Sequence, residues 1–469
     1  TGKPLVKNGE QALGLNKQQI TQPYYYFLDA SRFRLQPGDK IEYFFEVWDN
    51  DGVNGAKASR TQTMLFKAPT VDEMNEATDK KNSEIKKDLD DGIKKAKDLQ
   101  KDINDLSKKL NDKKQMGYDE KKKLEDILKK QQELKQKIEE TKQENQLNNQ
   151  QQQEFSPPDE ALMEKQKQLE QLFENIMSPE MKKLFDELNK LLDKLDKNQV
   201  QQKLEELKMS NKDMEKELDR TLEAFKQMEV EQKLQQAIDK LDELKNKEDA
   251  LKLETDKAKE PTKEKQDNKD NKDSKDNKDQ KHQDNKAGDD KKDNSSKDLE
   301  KKQDELNKQF EDLKKELKDM QEKNAALEQP NELPKTEEKQ NEISKEMENS
   351  SQELNQNNKK NASKSQKKAS DKMQEMKEQM QQAMDQMQQE QAEEDMAAVR
   401  QILENLLNLS FAQEELMGQL SKLRTDNPQY LKVTQTQKKL QDDSKIIEDS
   451  LTALSKRNPK ISAHINREI

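Results

Sequence analysis

The chain has 469 residues, of which 40% are charged, 28% are hydrophobic and 4% are aromatic, and this hydrophobic share is too small for one large compact core. Its 88 basic and 99 acidic residues are interspersed and give a net charge of -11, which is typical of solvated helix surfaces and excludes the concentrated basic face of a nucleic-acid-binding protein. The absence of cysteine excludes disulfides, thiolate metal sites and cysteine nucleophiles.

The sequence contains neither of two common targeting features. No apolar run approaches the roughly 18 residues that suggest a membrane-spanning helix, and the first residues do not have the pattern of a secretory signal. The chain begins with Thr1 rather than methionine, and its first β unit is short. We therefore expect a fragment or a processed product of a longer protein.

Residues 1–68 differ from the rest because they hold most of the aromatic residues and glycines. Segment 41–48 alternates in hydrophobicity, as a half-buried strand does, and segment 59–66 has the composition of a returning strand. We predict the last part of an Ig-like β-sandwich domain. The residues expected on one face of the first strand are Ile41, Tyr43, Phe45 and Val47.

The loop between these strands, residues 49–55, has two interpretations. Its run of aspartate, asparagine and glycine resembles a calcium loop, which needs an oxygen ligand at position 5 and a glutamate at position 12. Those positions hold Val53 and Arg60. A plain hairpin turn is therefore favoured over a weak cation site.

Helical spacing follows Pro69. Apolar residues recur every three or four positions from Ile85 to Leu110, which is the seam of a coiled coil. We predict coiled-coil helices over 72–150, broken near Gly117. The Gln/Asn-rich run before Pro157 is expected to end this segment.

Residues 157–258 are the most apolar part of the helical region. Ser178 followed by Pro179 signals a helix start. Ser210 with Asp213 resembles a capping box and predicts another start. Short connections favour antiparallel neighbours, so we predict a helical bundle or hairpins.

Residues 259–297 are of low complexity and nearly devoid of apolar side chains, which predicts a disordered charged linker. Residues 298–390 are predicted to form polar helices with a methionine stripe, interrupted at Pro330 and Pro334, and 391–469 to form amphipathic helices. The expected fold class is therefore mainly α, with long helices and helical hairpins or coiled coil. A small partial β-sandwich precedes them at the N-terminus.

Two stripes in the C-terminal half are candidates for partner binding. The methionine spacing over 373–387 favours ordinary packing over a partner-binding groove or a soft-metal site. The wide aliphatic stripe over 396–423 carries many acids and few lysines on its polar face, which favours burial against another helix over binding to a membrane surface. The candidate partner-binding residues are Met373, Met376, Met380, Met384, Met387, Leu403, Leu406, Leu409 and Leu416.

No motif in the sequence indicates catalysis. Neither a Walker-type phosphate loop nor a G-x-G-x-x-G loop occurs, and His282 and His464 have no second histidine or cysteine nearby in sequence to complete a ligand set. Charge-rich helix faces also lack the apolar pocket that tunes a catalytic carboxylate pair. We therefore expect no catalytic residues, no metal and no cofactor.

Four segments resemble the DUF4175 family, a large bacterial family of unknown function. They are residues 35–52 (LQPGDKIEYFFEVWDNDG), 217–234 (ELDRTL through EQKL), 409–417 (LSFAQEELM) and 447–457 (IEDSL through SKR). The resemblance covers most of the chain except the low-complexity segment. It implies a longer, membrane-anchored cell-envelope protein whose soluble part is periplasmic. It carries over no functional residues.

The leading functional hypothesis is a non-enzymatic scaffold of the cell envelope that presents helical seams for protein–protein docking. Two alternatives remain: part of a larger enzyme or nucleotide-driven machine with its active site elsewhere, and a chaperone-like holder. Expected partners are proteins, either further copies of the chain or other helices. We expect no nucleic acid and no small-molecule substrate, and membrane contact only through segments absent from this chain. The sequence leaves open whether the helices pair within one chain or between chains.

Overall fold

The computed structural model describes residues 9–14, 25–33, 35–49, 51, 53, 55–113, 115–155, 160–177, 179–191, 197–258, 289–422 and 429–458. The predicted fold class is confirmed, because helices dominate and the strands are confined to a small region near the N-terminus. The chain forms two compact units, Thr1–Ala77 and Thr78–Ile469.

The strands of the first unit form one hairpin in two segments. Strands β1 (Lys40–Tyr43) and β4 (Met64–Lys67) are antiparallel, and so are β2 (Glu46–Trp48) and β3 (Ala58–Arg60). Phe45 and Thr61 join the two segments, since the Phe45 amide donates to Thr61 Oγ1 at 3.0 Å and the Thr61 amide to the Phe45 carbonyl at 2.9 Å. The predicted pair of strands is therefore present, each interrupted once.

The hairpin loop is held by Asp49. Its Oδ1 accepts the Lys57 amide at 2.8 Å and the Asp51 amide at 3.3 Å. An aspartate that binds nearby backbone amides in this way makes an Asx turn. The hairpin-turn interpretation accounts for these contacts without an ion.

Helix α1 (Val71–Asp112) begins at a capping box that was not recognised in the sequence. The Glu73 amide donates to Thr70 Oγ1 at 3.2 Å, and the Thr70 amide donates to Glu73 Oε2 at 2.8 Å. Lys67 also binds Glu73, and these contacts hold the pKa of the Glu73 carboxyl at about 2. The signal was present in the sequence as Thr-x-x-Glu directly after Pro69.

The remaining helices of the described residues share the second unit with most of α1. They are α2 (Tyr118–Phe155), α3 (Glu160–Asn175), α4 (Pro179–Leu191), α5 (Lys197–Lys257), α6 (Asp289–Ala325), α7 (Glu337–Asn355), α8 (Lys359–Leu420) and α9 (Gln429–Arg457).

Helix α5, with 61 residues and a length of about 90 Å, passes through three successive cores. Its N-terminal part packs with α1, α2 and α4, and its middle with α1, α2 and α3. Its C-terminal part packs with α6, α7 and the first half of α8. The helices described here therefore pair within one chain, and segments on both sides of residues 259–288 share a core.

Helix α5 shows no break at Ser210, so the predicted helix start there is wrong. The seam Leu204, Leu207, Asn211, Met214 and Leu218 continues through this point in steps of three and four. Asn211 donates from Nδ2 to the Ala96 carbonyl at 2.9 Å, across to α1. Asn211, beside the predicted cap, thus joins α5 to α1 within a continuous helix.

Helix α2 continues through the Gln/Asn-rich run, where the sequence predicted its end. Two amides of this run bind neighbouring helices: Asn148 Nδ2 donates to Asn82 Oδ1 at 2.8 Å and Gln153 Nε2 to Gln166 Oε1 at 3.2 Å. The buried amide of Asn145 has no such partner among the described residues. Burying a side-chain amide costs little free energy when the amide is hydrogen-bonded. A polar run with such partners can therefore remain helical.

Two further boundaries differ from the prediction. Residues 289–297 belong to α6, although they were assigned to the disordered linker; residues 259–288 lie outside the described part of the chain. Ser296, at the start of the described α6 side chains, donates to Asn357 Oδ1. An unpredicted turn separates α7 from α8, where Asn357 adopts φ 58, a left-handed conformation that asparagine tolerates.

Gly92 provides a test of the contact between α1 and α5. A Cβ atom at this buried helical position would meet Leu218 at 3.5 Å and Leu134 at 3.8 Å, which are ordinary contacts. We expect Gly92→Ala to raise the free energy of unfolding by about 1 kcal/mol through helix propensity. Gly92→Val should lower it by about 1–3 kcal/mol through overpacking. Urea unfolding followed by circular dichroism measures both; destabilisation by alanine would contradict the packing described here.

Candidate functional site

The middle of α5, residues 217–234, is surrounded by other elements, yet it carries many charged residues. A helix buried on all sides is normally hydrophobic. Buried charges must be paired or hydrogen-bonded, since an isolated one is costly. The buried charged residues of this segment are Glu217, Arg220, Glu223, Glu229, Glu231 and Lys233.

An ionic junction connects α5 to α1 and α6. Glu229 binds Lys86 and, at 3.2 Å, Lys323, while Lys233 binds Asp79 at 2.7 Å and Asp319 at 3.4 Å. Burial disfavours the charge on Lys323, but Asp319 and Glu229 outweigh this effect and raise its pKa. The junction lies where the core of α1–α3 gives way to the core of α6–α8.

Arg220 attaches the end of α9 to α5. Its Nε donates to the Ser455 carbonyl at 2.7 Å and its Nη2 to the Asn458 carbonyl at 3.5 Å, while Nη1 lies 3.4 Å from Glu217 Oε2. Burial lowers the pKa of the guanidinium. A cation at a helix C-terminus satisfies free carbonyls and complements the helix dipole. Asn458 also donates to Asp395 of α8 at 2.9 Å, so three helices meet here.

A polar layer crosses the core formed by α5–α8, with one buried residue from each helix: Glu248, Gln303, Ser350 and Gln366. Gln303 donates to Glu248 Oε2 at 3.0 Å, and its own Oε1 accepts Ser350 at 2.8 Å and Gln366 at 3.0 Å. Burial raises the pKa of Glu248 to about 8. Within the described residues, Glu248 Oε1 and Gln366 Oε1 have no donor, so a protonated Glu248 supplies a hydrogen that the layer lacks.

The second half of α8 packs on α9 through a narrow seam. Ile402 contacts the cluster of Ile447, Leu451 and Leu454, and Leu416 packs with Val433 and Leu440. This hairpin buries only one face of α8.

The opposite side of α8 carries an exposed apolar stripe, which we call the α8 stripe. Its residues follow one another in steps of three and four, and their exposed fractions lie between 38% and 65%. Apolar side chains that are exposed next to one another on a protein surface commonly indicate an interaction site. The α8 stripe consists of Met396, Val399, Leu403, Leu407 and Phe411.

The candidate partner-binding residues therefore fall into two groups. The five methionines, Met373, Met376, Met380, Met384 and Met387, lie in the core that α8 forms with α5, α6 and α7, so they contribute packing inside the chain. The four leucines differ: Leu403 is exposed, Leu406 and Leu409 are half-buried, and Leu416 is buried against α9. Of the nine, Leu403 is the residue that is more than half exposed, at 56%.

Two cavities in the described residues lie near the lower size limit of ligand pockets. One of about 190 Å³ lies between α8 and α9, lined by residues such as Gln401, Ile402 and Leu454. It is below the roughly 300 Å³ at which ligand pockets begin. Another, of about 310 Å³, lies in the first unit, where Tyr26 donates to Gln11 at 2.5 Å. Neither combines several unpaired polar groups with an enclosed apolar wall.

Among the residues with defined positions, no three His, Asp or Glu side chains gather as metal ligands would. None of the described helices is both long and apolar enough to span a bilayer. His282 and His464 lie outside the described part of the chain.

Comparisons of the chain with protein-family models, with curated proteins and with solved structures find no match. The site must therefore be interpreted from its own geometry. Its accessible element is the α8 stripe; the ionic junction, Arg220 and the polar layer lie inside the helical unit.

Proposed function

We propose that this protein is a non-enzymatic scaffold that docks other proteins through helical surfaces. The α8 stripe is the observation that carries the proposal. Five large apolar side chains are exposed on one face of α8, and another face of α8 packs on α9. Leaving such a row exposed is unfavourable for a free protein, and covering it with a partner removes that apolar area from water.

The interior supports a structural role. The buried charges of α5 pair with side chains or carbonyls of α1, α6 and α9, which is what holding several helices in a fixed arrangement requires. A fixed arrangement in turn keeps the α8 stripe in a defined place. The resemblance of four segments to the DUF4175 family supports a location at the bacterial cell envelope, with the described helices in the periplasm.

Site-specific photo-crosslinking tests the proposal. A benzophenone amino acid at Leu403 in the natural host should form crosslinks to a protein partner. The same probe at Lys315, whose side chain is 77% exposed on the polar face of α6, should not. Equal crosslinking at the two positions, or none at Leu403, would refute docking through this face.

A further inference from the structure

The α8 stripe has the length and shape to bind a single helix of a partner. From Met396 to Phe411 it extends about 22 Å, or four helical turns. A helix that lies along it would present apolar residues at positions i, i+3 or i+4, i+7 and i+11. The shape of the stripe therefore matches one amphipathic helix rather than a broad flat surface.

The acidic residues beside the stripe favour a partner with positive charge. Residues 393–420 contain six carboxylates and a single cation, Arg400. Several exposed carboxylates of the other helices pair with lysine, as Glu311 does with Lys314 at 2.9 Å. No lysine or arginine of the described ranges forms an ion pair with Glu404, Glu414 or Glu415. Glu404 and Glu415 are 11 positions apart, about three helical turns, so they lie on the same flank of the stripe. That flank carries negative charge without a local ion pair.

We propose that the α8 stripe binds an amphipathic helix with a basic flank, supplied by another protein. This inference rests on the proposed function and names the chemistry of the partner. Lysine or arginine along one side of the partner's apolar face would neutralise Glu404 and Glu415 while its apolar residues cover Leu403 and Leu407. A second copy of this chain would bring two acidic flanks together, which is unfavourable. An anionic membrane would be repelled for the same reason.

The purified chain can be titrated with two labelled helical peptides of about 18 residues, five turns. Both share one leucine face, and they differ in carrying lysine or glutamate flanks. We expect the lysine peptide to bind at least about tenfold more tightly, with an affinity that falls as salt is added. Fluorescence anisotropy measures both. Equal binding of the two peptides, or tighter binding of the glutamate peptide, would overturn the basic partner.

Variants locate the binding. Leu403→Gln with Leu407→Gln should weaken the lysine peptide about tenfold or more, because two contacts of the apolar face are lost. Leu253→Gln on α5 is the matched control: Leu253 and Leu403 are each 56% exposed. Glu404→Lys with Glu415→Lys should reverse the preference toward the glutamate peptide. An equal loss with Leu253→Gln, or an unchanged preference after charge reversal, would overturn the assignment.

Two competing occupants are tested with the same protein. Sedimentation that shows a dimer abolished by Leu403→Gln with Leu407→Gln would replace the partner by a second copy. Binding to anionic vesicles that the same pair abolishes would replace it by a membrane surface. Tight binding of the glutamate peptide at the stripe would refute the basic partner and leave the scaffold proposal intact, whereas absence of crosslinking at Leu403 would refute the scaffold proposal itself.

Discussion

Arg220→Ala is expected to release the end of helix α9 and to lower its local stability by about 3 kcal/mol. The substitution removes the donors to the Ser455 and Asn458 carbonyls, and it leaves the buried Glu217 carboxylate without its neighbouring guanidinium. Native-state hydrogen exchange should show amides of α9 exchanging about 100-fold faster. Amides in the core of α6–α8 should keep their protection, because Arg220 does not contact that core.

Three variants separate this effect from a general loss of charge. Lys216→Ala removes an ion pair to Glu448 at 2.7 Å that joins the same two helices but is partly exposed, so a loss below about 1 kcal/mol is expected. Arg220→Lys keeps the charge without the planar array of donors and should be intermediate. Glu217→Gln in the Arg220→Ala background should restore part of the loss. Equal effects of Lys216→Ala and Arg220→Ala would show that Arg220 is an ordinary surface contact.

Much of the fold followed from spacing along the sequence. The apolar residues between Ile85 and Leu110 that the spacing assigns to a seam are buried. The break near Gly117 and the interruption around Pro330 and Pro334 occur where expected. These features are local: periodicity and helix-breaking residues act within one or two turns, so the sequence reports them directly.

The errors concern polar residues in helices. Ser210 and the Gln/Asn run over 143–153 looked like caps and loop, because their side chains compete with the backbone for hydrogen bonds. In the structure Asn211, next to Ser210, and Asn148, within the run, bind α1 instead. Whether such an amide ends a helix or joins two helices depends on a partner far away in sequence. Local composition does not contain that information.

The polar layer was missed although its signal is present. Glu248 continues the seam of Leu241, Leu244 and Leu251, and Gln303 occupies the equivalent position between Leu299 and Leu306. A polar residue at one seam position commonly fixes helix register. The spacing of three and four residues therefore indicates the layer, although the residues at these seam positions are polar. The α8 stripe was only partly recognised, since the sequence does not show which side of α8 meets α9.

Glu248→Gln is expected to stabilise the core of α5–α8 at neutral pH. The pKa of Glu248 is raised from 4.5 to about 8 by burial, so at pH 7 the folded protein keeps this carboxyl protonated while the unfolded chain ionises it. That difference in protonation lowers the free energy of unfolding by about 3 kcal/mol at pH 7. Glutamine has nearly the same shape and no charge to lose. Its amide nitrogen also provides a donor in a layer where Glu248 Oε1 and Gln366 Oε1 have none among the described residues.

The pH dependence distinguishes this explanation from a simple gain in packing. A group whose pKa is raised on folding contributes its full stability below its unfolded pKa and loses that contribution as pH rises to the folded pKa. The advantage of Glu248→Gln should therefore be near zero below pH 4.5. It should grow by about 1.4 kcal/mol per pH unit between about 4.5 and 8, and remain constant above that.

Urea unfolding of both proteins at several pH values measures this difference. Glu243→Gln is the matched control on the same helix, because Glu243 is exposed and pairs with Lys247 at 2.7 Å. It changes the net charge equally and should shift stability by less than about 0.5 kcal/mol at every pH. If Glu248→Gln stabilised the protein equally at pH 4 and pH 8, proton uptake by Glu248 would not be the cause. In that case the four residues of the layer would act through shape and hydrogen bonding alone.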